Sequence, residues 1–254
     1  MSEPSYLTLV VIAFALEVVD ASFGMGYGTI LTPALLLLGY DALQVVPAVI
    51  ASQLVGDFLA AFFHHQSKNV DLSIGSRDFQ TGAMLAAFSL VGSVAAVLFA
   101  LKLSEFALNL YIGLLVLIIG VVVLITREKQ RDFSWLRLLF LGSIASFNKG
   151  LSGGGYGPVV TAGQILTGVD VRAAIGITML AEGVACISSL IAYVWAGKQI
   201  DWLLALTLAI GVALSTPVAA LIVKKMQTKY LKVIIGVLTL ALGILTVLKT
   251  VRVL

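Results

Sequence analysis

The chain has 254 residues, 60% of them apolar and 11% charged, with a mean hydropathy of +1.08. That composition excludes an ordinary soluble domain and marks an integral membrane protein. The formal net charge of +3 reflects basic loops that set topology rather than a nucleic-acid-binding surface, and the one cysteine, Cys186, excludes an internal disulfide.

Met1-Ser2-Glu3-Pro4 leads straight into apolar sequence without a basic n-region or a small-residue cleavage site, so the start is read as retained. The first apolar region, 7–39, is cut by Gly24, Gly26 and Gly28 into pieces of roughly 9 to 15 residues, too short to span alone. Three full-length apolar stretches follow, at 43–63, 80–101 and 105–125, each near the ~20 residues that cross hydrocarbon. A polar connection, Thr126 to Ser134, carries Arg127, Glu128, Lys129, Arg131 and Asp132. The pattern then recurs: a second cut region at 135–168, followed by stretches at 171–196, 202–223 and 231–248.

Recurrence extends to individual residues. At an offset of 129, residues 26–41 match 155–170 at seven of sixteen positions, including Gly26-Tyr27-Gly28 with Gly155-Tyr156-Gly157, Thr32 with Thr161 and Asp41 with Asp170. The sequence therefore predicts an all-α polytopic membrane protein made of two internal repeats in one transport domain: 5–125, a linker at 126–134, and 135–254. Each repeat is a broken helix followed by three transmembrane helices.

The positive-inside rule selects the topology. If the broken segments turn back at their glycines, eleven loop Lys and Arg share one side, opposite Lys102, Lys198, Lys249 and Arg252. If they cross, the split is nine against six. The stronger bias favours re-entrant hairpins in inverted repeats, with both termini outside and the 126–134 loop cytoplasmic.

A glycine cluster inside a membrane helix frees backbone N–H groups, which are tolerated only in protein or beside a wet cavity. At the start of the next half-helix they coincide with its positive dipole end and suit an anion. Two such ends, converging near a pseudo-twofold axis, would hold one small anion between them. The competing reading is that the glycines serve close helix packing. The binding candidates are Gly24, Gly26, Tyr27 and Gly28 in the first half, with Asn148, Lys149, Ser152, Gly153, Gly154, Gly155, Tyr156 and Gly157 in the second.

These duplicated clusters, Phe23-Gly24-Met25-Gly26-Tyr27-Gly28 and Leu151-Ser152-Gly153-Gly154-Gly155-Tyr156-Gly157, resemble those of the sulfite exporter TauE/SafE family, also called the toluene sulfonate uptake permease family. The likeness covers nearly the whole chain. It implies transport of small sulfur-containing anions such as sulfite, sulfoacetate or other organosulfonates, often as export in bacteria that degrade sulfonates.

Charge inside an apolar run is costly and by default functional. Lys149, beside the second cluster, would give an oxyanion its positive partner, with Asn148 as a further donor or acceptor; alternatively Glu17, Asp20 or Glu182 pairs with it. Asp20 falls at the matching place of the first half, so the halves carry opposite charges there. Glu17, Asp20, Asp57 and Glu182 are candidates for proton coupling, and Glu182 aligns with Gln53 at the offset of 129. Gln53 and Gln164 are second-rank polar contributors, as are Ser52, Thr32 and Thr161, which more often satisfy helix backbone.

Other conspicuous residues receive blander readings. His64-His65 suits an interface better than a metal site, for want of a third ligand. Asp41 and Asp170 read as N-caps. Trp135, Trp195 and Trp202 read as an aromatic belt, Pro47 and Pro217 as kinks, and Cys186 as a packed thiol.

The functional expectation is a secondary transporter, not an enzyme. It would export a small sulfur anion by alternating access around a midplane site in a bacterial inner (plasma) membrane. No cofactor or metal is expected, and protons are the candidate coupling ion. Partners are the anion and the lipid bilayer, with room for a homo-oligomer and none for nucleic acid. The alternatives are an anion channel and an intramembrane enzyme acting on a lipid phosphate, which would need a nucleophile with acid and base partners.

Overall fold

The computed structural model describes residues 5–125, 135–166, 168–223 and 229–252. All regular structure in them is helical, in the order α1 (Tyr6–Phe23), α2 (Tyr27–Leu37), α3 (Ala42–Gln66), α4 (Arg77–Ala100), α5 (Glu105–Ile125), α6 (Trp135–Ser152), α7 (Tyr156–Leu166), α8 (Val171–Trp195), α9 (Trp202–Val223) and α10 (Lys229–Arg252). The linker 126–134, expected to be cytoplasmic, and the side chain of Trp135 lie outside what is described.

Helix starts follow local chemistry. Ser5, Asp41, Ser76 and Asp170 each accept a hydrogen bond from a first-turn N–H of α1, α3, α4 and α8, as N-cap side chains do. Asp41 and Asp170 thus fill the role read from sequence. Both α3 and α9 run through their prolines, Pro47 and Pro217, and α2 contains Pro33.

Six helices among the described residues are long and apolar enough to cross a membrane: α1, α3, α4, α5, α8 and α9. Five coincide with expected spans. The expected span 231–248 lies in α10, which is only partly described. The expectation that every broken piece is too short requires correction, because α1 and α6 have 18 residues each, or about 27 Å at 1.5 Å per residue. The second arms, α2 and α7, have 11 residues. Each glycine cluster therefore divides its segment unequally, into a long arm and a short one.

Packing fixes the direction of each arm. Val10 and Phe14 of α1 lie against Gly211 of α9, and Glu17 lies against Gly56 of α3. Ala21 packs with Ala60 and Ala219, deep along the same two helices. The three helices run the same way. Leu36, at the end of α2, packs with Ala42 and Leu108, so α2 returns to the end of the bundle where α3 begins. The first broken segment is a re-entrant hairpin.

The second hairpin enters from the opposite end. Gly142 of α6 lies against Leu85 of α4, and Gly150 lies against Ser93 and Ala96, so α6 runs alongside α4 from the end where α3 finishes. Gln164, late in α7, donates to Thr178 Oγ1 at 2.9 Å and to the Ala174 carbonyl at 3.3 Å, which returns α7 to the start of α8. Helices α5 and α10 run antiparallel with backbones in contact, Gly113 beside Val247, Gly120 beside Leu240 and Gly243 beside Leu117.

The bundle is apolar outside and polar inside. Val11, Val91, Ile118, Ile191, Leu206 and Leu214 are exposed, whereas Glu17, Asp20, Gln53, Asp57, Lys149 and Glu182 are buried. That inversion of the soluble pattern is what a hydrocarbon surround demands. Trp195 and Trp202, both exposed, flank the α8–α9 turn as a membrane-interface belt would.

Candidate functional site

The two breaks meet at the centre of the molecule. Gly24 ends α1 in the left-handed region at φ 67°, and Gly153 occupies the matching place after α6 at φ 72°; both conformations are cheap only for glycine. A β-carbon on Gly28 would strike the carbonyl oxygen of Gly153, and one on Gly157 would strike that of Gly24. These two contacts are reciprocal, since 153 and 157 follow 24 and 28 by 129. A β-carbon on Gly154 would sit 2.6 Å from the Gly28 carbonyl carbon and from the Thr29 nitrogen.

The half-helix starts therefore converge, as the sequence suggests, but they touch backbone to backbone. Close packing is what the glycines serve in this conformation. No gap for an anion lies between Gly28 and Gly153, and one N–H group at each half-helix start has an internal partner. Tyr27 N–H donates to Asp20 Oδ1 at 3.0 Å, and Gly155 N–H donates to Thr29 Oγ1 at 3.0 Å. Asp20 thus supplies the negative charge at the start of α2.

Four helices place the charged groups beside this contact. Glu17 and Asp20 share a face of α1, Gln53 and Asp57 a face of α3, and Glu182 and Cys186 a face of α8, while Lys149 lies in the last turn of α6. Lys149 Nζ forms a salt bridge with Glu182 Oε1 at 2.8 Å and hydrogen-bonds Gln53 Oε1. The Gln53 amide completes the network by donating to Glu182 Oε1 at 3.1 Å and Asp20 Oδ2 at 3.3 Å. Cys186 Sγ–H donates to Asp57 Oδ2 at 3.4 Å. All of these side chains are buried, Lys149 completely.

Two of these bonds have a special position. Gln53 and Glu182 are 129 residues apart, and so are Asp57 and Cys186, the offset of the sequence recurrence. Each bond thus joins two residues that the sequence recurrence places in register. Asp20 and Lys149, also 129 apart, carry opposite charge and both bond Gln53.

The remaining expected residues have other tasks. Tyr27 and Tyr156 are fully buried, and their hydroxyls bond Ser52 Oγ at 2.7 Å and Ser89 Oγ at 2.9 Å. Asn148 Oδ1 accepts from Tyr111 at 2.6 Å, and Ser152 Oγ donates to the Asn148 carbonyl at 2.8 Å. Gln164 ties α7 to α8. Thr161 Oγ1 donates to the Gly24 carbonyl at 3.0 Å and bonds Thr178. Thr32 Oγ1 lies 3.0 Å from where a β-carbon on Gly153 would be, the counterpart contact. His64, in the last turn of α3, is buried: its Nε2 bonds the Ala21 carbonyl at 2.7 Å and its Nδ1 bonds Asn69 at 3.0 Å.

Sequence reasoning passed over Thr29, Tyr111 and the pairing of Cys186 with Asp57. The last was visible in the offset, which places 186 opposite 57. Thr29 had no such signal, because its counterpart is Pro158.

A relative, the probable membrane transporter protein YtnM of Bacillus subtilis (strain 168), is 26% identical over 234 residues, covering 87% of this chain and 75% of the relative. No solved structure gives a significant match. The family model described as sulfite exporter TauE/SafE matches residues 9–246, both hairpins and the buried charged network included, and the chain belongs to that family of membrane transporters.

Proposed function

We propose that the protein is a secondary carrier that exports a small sulfur-containing anion, such as sulfite, sulfoacetate or a related organosulfonate, across a bacterial inner membrane by alternating access. The observation that carries this reading is Lys149. It is a completely buried cation at the glycine break, held by Glu182 and Gln53. A buried ion pair is costly to assemble from solvated ions, and one at a helix break suits an exchangeable ligand better than it suits stability.

In this reading the structure is the closed state, with Glu182 in the place of the substrate. An arriving oxyanion takes the Lys149 ammonium together with donors of the α7 start, around Gly155, Tyr156 and Gly157. Position 149 holds a lysine where the first half has Asp20, so the α7 start lacks the internal carboxylate that occupies α2. Glu182, released from Lys149, then needs a positive charge, and a proton is the simplest source. Asp20, Asp57 and Glu17 extend the same store.

Alternating access follows from the hairpins entering at opposite ends. Withdrawal of one opens the centre to one side only, while the other keeps its seal. The halves 5–125 and 135–254 then act as inverted repeats joined by a cytoplasmic 126–134 loop.

The test is sulfite counter-exchange in liposomes reconstituted with purified protein. Saturable exchange is expected, whereas flux without saturation or exchange would indicate a channel. Lys149→Ala is expected to abolish exchange, and normal exchange in a folded Lys149→Ala protein would refute the site. Alkalinisation or acidification of the lumen that follows substrate flux would establish proton coupling, and its absence would remove it.

A further inference from the structure

Charges at the centre do not balance. Four carboxyl groups, those of Glu17, Asp20, Asp57 and Glu182, are buried around one ammonium, that of Lys149. Glu182 has Lys149. Asp20 has the Tyr27 N–H at the start of α2 and the Gln53 amide. Asp57 has only the Cys186 thiol, a weak donor, on Oδ2.

The geometry adds a second fact. One carboxylate oxygen from each of Asp20, Asp57 and Glu182 lies within 4.8 Å of the other two. These oxygens come from three different helices, α1, α3 and α8. Asp57 Oδ1 and Glu182 Oε2 are buried without any hydrogen-bond partner, on side chains 0% and 2% exposed. A buried polar atom without a partner is uncommon and calls for one, a water or an ion.

We infer that Asp20, Asp57 and Glu182 form a binding site for one alkali cation, Na⁺, at the centre of the molecule. A proton shared between carboxyls needs two oxygens at hydrogen-bonding distance, and gains nothing from a third. Three oxygens within 4.8 Å fit one ion with metal–oxygen distances of about 2.3–2.6 Å, the range for a hard cation of calcium size. Na⁺ has nearly that radius and the single charge that Asp57 lacks. Ca²⁺ and Mg²⁺ also take carboxylate oxygens, and the displacement assay below separates them from Na⁺. Glu17, with both oxygens buried and unpartnered, borders the site through Gly56. Glu17, Lys149, Cys186, Tyr27 and Tyr156 are further titratable groups around it. Bound Na⁺ takes the place that protons have on Asp20, Asp57 and Glu182 in the carrier reading, and the site does not depend on which anion the chain carries.

Equilibrium binding of ²²Na⁺ to the purified full-length protein in detergent, without substrate, tests the site. Saturable binding is expected, displaced by unlabelled Na⁺ but not by choline at equal ionic strength. Asp57→Asn is expected to weaken it at least about tenfold. As a check that does not depend on a variant's folding, the melting temperature of the wild-type protein should rise in NaCl relative to choline chloride. Non-saturable ²²Na⁺ binding, an equal melting temperature in both salts, unchanged affinity in folded Asp57→Asn, or displacement by micromolar Ca²⁺ in preference to Na⁺ would each overturn the assignment. Because sulfite exchange is not a readout here, loss of the carrier reading would leave this result intact.

Discussion

The hairpins α1–α2 and α6–α7 share a frame and differ in charge. Each has an 18-residue arm, a left-handed glycine, and an 11-residue return arm. In each, a threonine of the return arm lies against the partner's left-handed glycine, Thr161 at Gly24 and Thr32 at Gly153. Where the first hairpin has Asp20 turned onto its own return arm, the second has Lys149 turned away from its own and toward Glu182. The ends differ too. Lys249 of α10 caps the first return arm by donating to the Leu36 carbonyl at 2.7 Å and the Leu37 carbonyl at 3.1 Å, whereas the counterpart position of α5 is Gly120. Frame residues thus serve folding in both halves alike, and the charged residues assign the halves unequal work.

The largest effect should come from breaking the unequal part. Lys149→Ala leaves Glu182 as an uncompensated buried charge, which costs about 3–5 kcal/mol. The double variant Lys149→Ala/Glu182→Gln should recover most of that stability by thermal melting and still show no sulfite exchange. Recovery of exchange in the double variant would place the substrate elsewhere.

Next come the equal parts. Gly28→Ala and Gly157→Ala each drive a methyl group into a carbonyl of the other hairpin, and overpacking of this kind costs about 1–3 kcal/mol. Because the contacts are reciprocal, the two variants should lower the melting temperature similarly. A large difference between them would show that one hairpin carries more of the packing than its twin.

A smaller and again matched loss is expected for Tyr27→Phe and Tyr156→Phe. Each removes one buried hydrogen bond, worth about 0.5–1.5 kcal/mol. Ser52 and Ser89 retain their bonds to the Val49 and Leu85 carbonyls at 2.9 and 2.8 Å, so no hydroxyl is stranded. Exchange should persist in both variants.

The smallest effect should be that of Lys249→Met. Its exposed ammonium acts on the negative end of α2, an interaction of about 0.3–1 kcal/mol. The variant should therefore loosen the first hairpin alone, read as faster amide exchange in α2 than in α7.

Much of this architecture is legible before any coordinates. Span positions, N-caps at Asp41 and Asp170, re-entry at the glycines and the approach of Gln53 to Glu182 follow from apolar length, cap chemistry, loop charge and the 129-residue offset. The 18-residue long arms escape the reading of roughly 9 to 15 residues, although Gly24 and Gly153, which end them, stand in the sequence. The use of the tyrosines is not legible. A repeated Gly-Tyr-Gly suggests a phenol facing ligand, yet the hydroxyl partners lie on α3 in one half and α4 in the other. The choice between glycines that bind and glycines that pack depends on a backbone contact between distant segments, which sequence spacing does not encode.

Contacts between residues and their own counterparts have a further consequence. In a dimer of identical half-chains, whatever sits on the symmetry axis must face a copy of itself: glutamine against glutamine, aspartate against aspartate. Like charges would then meet at the membrane centre, where repulsion is least screened. A single continuous chain escapes that rule. It can set Gln53 against Glu182 and Asp57 against Cys186, and place a lysine across from an aspartate. Difference in sequence between the halves is therefore a precondition for the polarity of this centre, and two identical halves could not reproduce it.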